Sequence, residues 1–206
     1  MIEGIDIADL DGEIQDHGYV RNYSLESATL HRTSLLDVTL PGQFCHGYQQ
    51  LPVQSKGRPR LRASPGSILN PRCLKHGPIT SRQTNTEKGV ISWYGTQEQW
   101  TPDSRTFSDV LNFQQGIGGQ LLAVDSPYSD GNTISTSSFT IPPHIEVGSP
   151  YTVYWMWNTT EIVDHGWLVY TSCMDIDIVE SASATNKYLI PGTSTCPVPP
   201  FANTEL

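Results

Sequence analysis

The sequence has no long apolar run, few charged residues and no closely spaced pair of cysteines. No run approaches the roughly 20 apolar residues that a membrane-spanning helix needs, so we expect no membrane span in this segment. Charged residues make up only 16% of the 206 residues, and the formal net charge is -9. The one basic cluster, Lys56 to Arg62, offers few partners for a row of phosphates, so nucleic acid is not an expected partner. An acidic surface suits a neutral partner better.

The cysteines are few and far apart. The absence of a Cys-x-x-Cys pair argues against a zinc knuckle and a thioredoxin-like motif. Two disulfides are the expected state, and four buried free thiols in a cytosolic protein are the alternative. Three connectivities are open, of which we favour Cys45 with Cys73 and Cys173 with Cys196.

Two further features bear on location. Asn22-Tyr23-Ser24 and Asn158-Thr159-Thr160 have the form of glycosylation acceptors, which favours an extracellular, glycosylated protein. The first residues do not form a signal peptide, because Glu3 and Asp6 stand where a basic start and an apolar stretch are needed.

Short apolar segments between turn residues predict an all-β fold. Residues 151–157 are apolar on both faces, which is typical of a central strand packed on each side. In residues 168–179, one face is apolar and the other is polar. Further strands are expected at 2–7, 18–23, 89–95, 120–125 and 138–141, and a short helical turn at 104–114.

The strands predict an antiparallel, immunoglobulin-like β-sandwich with long loops, with a jelly roll as the alternative. Residues 1–180 form the predicted sandwich domain, and residues 181–206 form a loosely ordered tail rich in Ser, Thr and Pro. Residues 40–77 contain many Pro and Gly and form a long excursion, held by Cys45 and Cys73, on which a binding surface could be built. A monomer is expected.

Few residues suggest catalysis. No Gly-x-Ser-x-Gly run occurs, so a serine hydrolase is set aside. Asp175 and Asp177 lie two apart on one strand face and are interpreted as solvated residues; a carboxylate glycosidase is the weaker alternative. The histidines show no metal-ligand spacing; they are His17, His31, His46, His76, His144 and His165.

The tryptophans suggest a binding function: a non-catalytic domain that stacks aromatic rings on the sugars of a polysaccharide or cell-wall glycan. Trp93 lies in an apolar run and is expected in the core. Trp100 and Trp167, beside Pro102 and Gly166, are expected at the surface.

The segment Tyr170-Thr171-Ser172-Cys173-Met174-Asp175-Ile176 resembles the closing strand of copper-dependent lytic polysaccharide monooxygenases. Together with residues 60–66, 94–96, 118–123 and 151–157, it is similar to an uncharacterised family of secreted fungal domains of unknown function. This resemblance covers most of the chain to about Val179. It implies a secreted protein and a chain that begins just inside a mature domain, since Ile2-Glu3 and Gly18-Tyr19-Val20-Arg21 match but the preceding histidine is absent.

The resemblance also implies a possible copper cofactor. In the monooxygenases, an N-terminal histidine and a second histidine bind copper, and a tyrosine or phenylalanine lies near the axial position. The resemblance puts Tyr170 at the axial position. Pro78 occupies the place of the second histidine, which leaves His76 as the substitute ligand.

Overall fold

The computed structural model describes residues 2–8, 14–23, 36–37, 43–73, 90–125, 133–163, 166–180 and 193–197. These residues form mostly β-strands. The elements are β1 (Ile2–Ala8), β2 (Ile14–Tyr19), β3 (Leu36–Asp37), β4 (Leu61–Ala63), β5 (Ile68–Cys73), β6 (Val90–Thr96), α1 (Phe107–Leu111), β7 (Gln120–Asp125), β8 (Thr133–Ser137), β9 (Phe139–Thr140), β10 (Pro150–Val163), β11 (Gly166–Ile178) and β12 (Thr193–Pro197), with 3-10 turns at Gly47–Gln49 and Asn112–Gln115. Within these ranges no helix is long and apolar enough to cross a membrane.

Two sheets make the sandwich. The first has the order β2-β1-β5-β9, and the second has the order β3-β11-β10-β6-β7. All pairs in these two sheets are antiparallel except β4, which adds to β11 in parallel. The predicted antiparallel sandwich is therefore confirmed.

The inner layer lies between the two sheets and is apolar. Tyr151, Val153, Trp155 and Trp157 project from one face of β10, as the period of two requires. They pack with buried residues of both sheets, which include Ile5, Tyr19, Leu61, Leu69, Trp93, Phe139, Met174, Ile176 and Ile178. Gly18 lets β2 approach β4 closely, because a Cβ there would lie 2.3 Å from the Leu61 backbone nitrogen.

The outer layer covers the opposite face of the second sheet. Tyr154 and Met156 of β10 and Cys173 of β11 pack here against Phe44, Phe107, Val110 and Phe113. Thr106 begins α1 with a capping box, since it accepts from the Asp109 backbone while the Asp109 carboxylate accepts from the Thr106 backbone. The predicted central strand is thus buried on both sides, and the helical turn falls where it was expected.

Two other expectations concern the loops and the tail. Residues 43–73 contain only short elements, as the density of Pro and Gly predicted. The predicted domain boundary at residue 180 stays a prediction, although residues 193–197 of the predicted tail form β12, which pairs with β8.

Candidate functional site

The outer layer contains a buried ionic cluster that begins at Asp175. The chain passes from the first sheet to the second after β2, where the Arg21 backbone donates to the Cys173 carbonyl. The Arg21 guanidinium donates to both Asp175 oxygens, at 2.9 and 2.6 Å. Thr152 of β10 also donates to this carboxylate, at 2.9 Å. Both charged side chains are almost fully buried, so each needs opposite charge nearby; Arg60, at 3.6 Å, is a second and longer ion-pair partner of Asp175.

A second pair extends the cluster towards the surface. Asp103 accepts from Arg21 at 3.1 Å through one oxygen and from Arg105 at 3.1 Å through the other. The Tyr154 hydroxyl donates to Asp103 at 2.6 Å and accepts from Arg105 at 2.9 Å. Arg105 and Asp103 are also buried. Two arginines and two aspartates therefore balance within one hydrogen-bonded group, which we call the ionic cluster: Arg21, Asp103, Arg105, Asp175 and Tyr154.

The cluster keeps Arg21 charged and Tyr154 neutral. Burial alone would lower the pKa of Arg21, but the hydrogen bond and the charge of Asp175, with that of Asp103, raise it overall. Burial raises the pKa of Tyr154, and the Asp103 charge raises it further. Tyr154 therefore keeps its proton at all ordinary pH values and serves as a hydrogen-bond donor to Asp103.

One disulfide attaches residues 44–49, which we call the covering segment, to the second sheet beside this cluster. Cys45 is bonded to Cys173 of β11, with a Cα–Cα distance of 5.8 Å. The predicted pairing of Cys45 with Cys73 and of Cys173 with Cys196 is therefore wrong. The covering segment also binds through Gln49, which accepts from the Cys173 backbone at 3.1 Å and whose carbonyl accepts from Arg21 at 3.0 Å.

Trp100 lies at the outer end of the ionic cluster. Its ring is 36% exposed, and the Arg105 guanidinium lies 4.4 Å from the ring centroid, a cation–π contact. Arg105 is itself fixed by Asp103, Tyr154 and the Glu98 carbonyl, to which it donates at 2.6 Å. The Glu98 carboxylate, whose side chain is 57% exposed, lies 3.7 Å from Arg105. An exposed indole thus rests on a fixed support with a solvent-facing carboxylate beside it.

A second exposed aromatic group lies on the neighbouring segment. Tyr48 is 37% exposed and stacks in parallel on His46, with ring centroids 5.4 Å apart. Burial lowers the pKa of His46, so this ring is neutral at pH 7. The Asp103 backbone donates to the Gln50 carbonyl at 2.7 Å, which holds the two segments side by side.

The structure also gives the position of Tyr170. Its side chain is buried in the inner layer, where it stacks on Trp157 with a centroid distance of 5.2 Å, and burial raises its pKa. Among the described residues there is no group of three His, Cys, Asp or Glu side chains that could hold a metal ion. His76, the predicted ligand, lies outside the described residues, so a copper site at His76 and Tyr170 stays a prediction.

The predictions for the two aspartates and the tryptophans have different outcomes in the structure. Asp175 was expected to be solvated, and this prediction is wrong because the side chain is fully buried. Arg21, which the sequence analysis did not identify as its partner, compensates its charge. Asp177 is 47% exposed and pairs with Arg60 at 3.2 Å. A glycosidase pair is thus disfavoured, because one of its two carboxylates is enclosed. Trp93 is buried and Trp100 exposed, as predicted, whereas the Trp167 side chain is not among those described.

Another concave region lies between β7 and residues 138–144. This open groove of about 400 Å³ is lined by Gln120, Leu122, Phe139, Pro143 and His144, among others. His144 is the one titratable side chain among the described residues that line the groove.

Sequence reasoning missed Arg21, Asp103, Arg105 and Glu98. The available signal was indirect. Asp175 lies two residues from Cys173 on the same strand face, and a charged side chain next to a buried cysteine needs a partner of opposite charge. The sequence does not show which arginine supplies that charge, because Arg21 and Asp175 are 154 residues apart in the chain.

Fold and site together define a class: an all-β sandwich with a disulfide, a buried ionic cluster and an exposed tryptophan supported by it. The chain belongs to the family described as Domain of unknown function (DUF7492), which matches residues 2–136 and 123–191. No curated protein matches it. Among solved structures, the chain is similar to CvAA9A, with 15% identity, a TM-score of 0.47, and coverage of 88% of this chain and 79% of that chain.

Proposed function

We propose that this protein is an extracellular, non-catalytic domain that binds polysaccharide through the Trp100 surface, defined as Trp100, Glu98 and the neighbouring Tyr48. The supported Trp100 ring is the observation that carries the proposal. Pyranose rings have apolar faces that stack on indole, and their hydroxyl groups donate to carboxylates such as Glu98. Because Arg105 already fixes the ring, little side-chain entropy is lost on binding.

The extracellular location is supported by the disulfide. Cys45 and Cys173 are both buried and bonded, and such bonds persist in oxidising compartments. The net charge of -9 favours a neutral glycan over an anionic one, because an acidic surface repels anions.

The test is retention on insoluble polysaccharides. We expect the folded protein to be retained on at least one member of a panel of cellulose, chitin and β-1,3-glucan. Trp100→Ala should weaken this retention at least about tenfold, which corresponds to about 1.4 kcal/mol. Val147→Ala, which truncates another exposed apolar side chain, is the matched control and should leave retention unchanged.

Two results would overturn the proposal. One is retention on no polysaccharide by a protein with its native melting transition; the other is equal retention by Trp100→Ala and the unchanged chain. The alternative of a copper-dependent monooxygenase stays a prediction from the resemblance. Submicromolar copper binding in calorimetry, together with oxidised sugar products, would favour it.

A further inference from the structure

The two glycosylation acceptor sequences lie in different environments. Asn22 is exposed in the turn after β2 and has a φ of 50°, in the left-handed region. Its backbone nitrogen donates to the Val53 carbonyl at 2.9 Å, and its side-chain oxygen accepts from the Ser55 hydroxyl at 3.4 Å. Within the described part of the chain, nothing accepts a hydrogen bond from Asn22 Nδ2. This nitrogen is therefore available for modification.

Asn158 is half-buried in the second sheet. It lies within β10, opposite Val90 of β6 and Val169 of β11. Its side-chain oxygen is buried and has no hydrogen-bond partner among the described residues. A half-buried amide within a strand that is paired on both sides leaves less room for a bulky substituent than an exposed turn does.

From this contrast we propose that the secreted protein carries an N-linked glycan on Asn22 and none on Asn158. This inference rests on the extracellular location in the proposed function. In the reaction, Asn22 Nδ2 attacks C1 of an oligosaccharide linked to a lipid pyrophosphate. A C1–N bond forms, the C1–O bond to the pyrophosphate breaks, the lipid pyrophosphate leaves with the electron pair, and the amide loses one proton to a base.

Apolar side chains next to Asn22 add a second argument. Leu51 and Val53 are among the most exposed large apolar residues of the described chain, at 50% and 53%. The Asn22 backbone donates to the Val53 carbonyl, and the Val53 backbone donates to the Leu51 carbonyl, so both residues belong to the segment that Asn22 contacts. A glycan on Asn22 would lie near these exposed apolar side chains and would shield part of their surface from solvent.

Asparagine at position 22 has two possible roles, to allow the positive φ of the turn and to accept a glycan, and variants can distinguish them. Asparagine and glycine both tolerate a positive φ, so the turn alone would be satisfied by either residue. The acceptor also needs Ser24, which the turn geometry of Asn22 does not explain. Asn22→Gly keeps the turn and removes the acceptor nitrogen, while Ser24→Ala keeps Asn22 and destroys the acceptor sequence.

The experiment is secretion of the full chain from a eukaryotic host behind an added signal peptide, with intact mass measured before and after peptide N-glycosidase. We expect one glycan on the unchanged chain, none on Asn22→Gly or Ser24→Ala, and one on Asn158→Gln. Two glycans, a glycan lost in Asn158→Gln, or none on the unchanged secreted chain would overturn the assignment. Polysaccharide retention is a separate readout: Asn22→Gly should keep it, and Trp100→Ala should keep the glycan.

Discussion

The inner and outer layers of the second sheet are both buried but are held together differently. In the inner layer, apolar and aromatic side chains of the two sheets pack together, and the indole nitrogens of Trp93, Trp155 and Trp157 have no partner among the described residues. In the outer layer, four buried charges and a tyrosine satisfy one another.

The difference shows which interactions require specific partners. Burial of apolar area is non-directional, so the inner layer depends on volume and shape. A buried charge without its partner is costly, so each residue of the ionic cluster requires the others. The outer layer is therefore where single changes should have effects beyond lost packing area, and it also supports the Trp100 surface.

The largest effect should come from the disulfide that attaches the outer layer. Cys45→Ala with Cys173→Ala opens a loop with a sequence separation of 128 residues. Loop-closure entropy then predicts a loss of about 4–5 kcal/mol in the free energy of unfolding, measured by urea denaturation. A loss below about 1 kcal/mol would show that the hydrogen bonds of Gln49 alone hold the segment.

The same double variant tests the second disulfide. With Cys45 and Cys173 bonded, the expectation of two disulfides leaves Cys73 and Cys196, which belong to the neighbouring strands β5 and β12. Mass spectrometry of a non-reduced digest should therefore still find a peptide that joins Cys73 to Cys196.

A somewhat smaller loss is expected when the ionic cluster is broken. Asp175→Ala leaves the buried Arg21 without its main partner and should cost at least about 3 kcal/mol of the free energy of unfolding. Asp177→Ala, two residues along the same strand face, is the matched control and should change it by less than about 0.5 kcal/mol, because its side chain is half exposed. Equal effects of the two substitutions would contradict the distinction between the layers.

The smallest of the three effects concerns alkaline pH. Burial raises the pKa of Tyr151 to about 12, partly offset by the hydrogen bond from Gln120. The unfolded chain ionises this tyrosine near pH 10, as an unperturbed tyrosine does, so its contribution is present below about pH 10 and is lost as pH rises towards 12. The loss is about 2–3 kcal/mol of the free energy of unfolding.

Urea denaturation near pH 8 and near pH 11 measures this dependence. Tyr151→Phe, in the inner layer, should reduce the alkaline loss, while Tyr154→Phe should already destabilise the protein at neutral pH because it removes a donor to Asp103. An unchanged alkaline loss in Tyr151→Phe would contradict the assignment to this residue.

Much of the fold could be predicted because the alternation of apolar and polar residues along a strand indicates which of its faces is buried. The segment 151–157, apolar on both faces, predicted a strand buried on both sides, and the alternation in 168–179 gave the correct two faces of β11. Its second face was predicted to be polar, with Asp175 and Asp177 solvated, yet Asp175 is fully buried, as are Thr171 and Cys173 on the same face. The pattern reports polarity along a strand but not whether another segment covers it.

The site was predictable only where a single residue was informative. Trp100 was expected at the surface because Pro102 follows it, and it is exposed. Its support by Arg105, and the link of Arg105 through Asp103 to Arg21, depend on contacts between residues far apart in the chain. Such contacts have no signature in local sequence.

The attachment of Arg21 to Asp175 also sets an order of events during synthesis. One partner is near the start of the chain, and the other lies in β11, the strand that also pairs with β10, β3 and β4. The second sheet and its ionic cluster cannot close until β11 has left the ribosome. A nascent chain that stops before residue 175 therefore lacks the main partner of Arg21 and leaves one edge of β10 unpaired, so we expect it to aggregate more readily than the full chain.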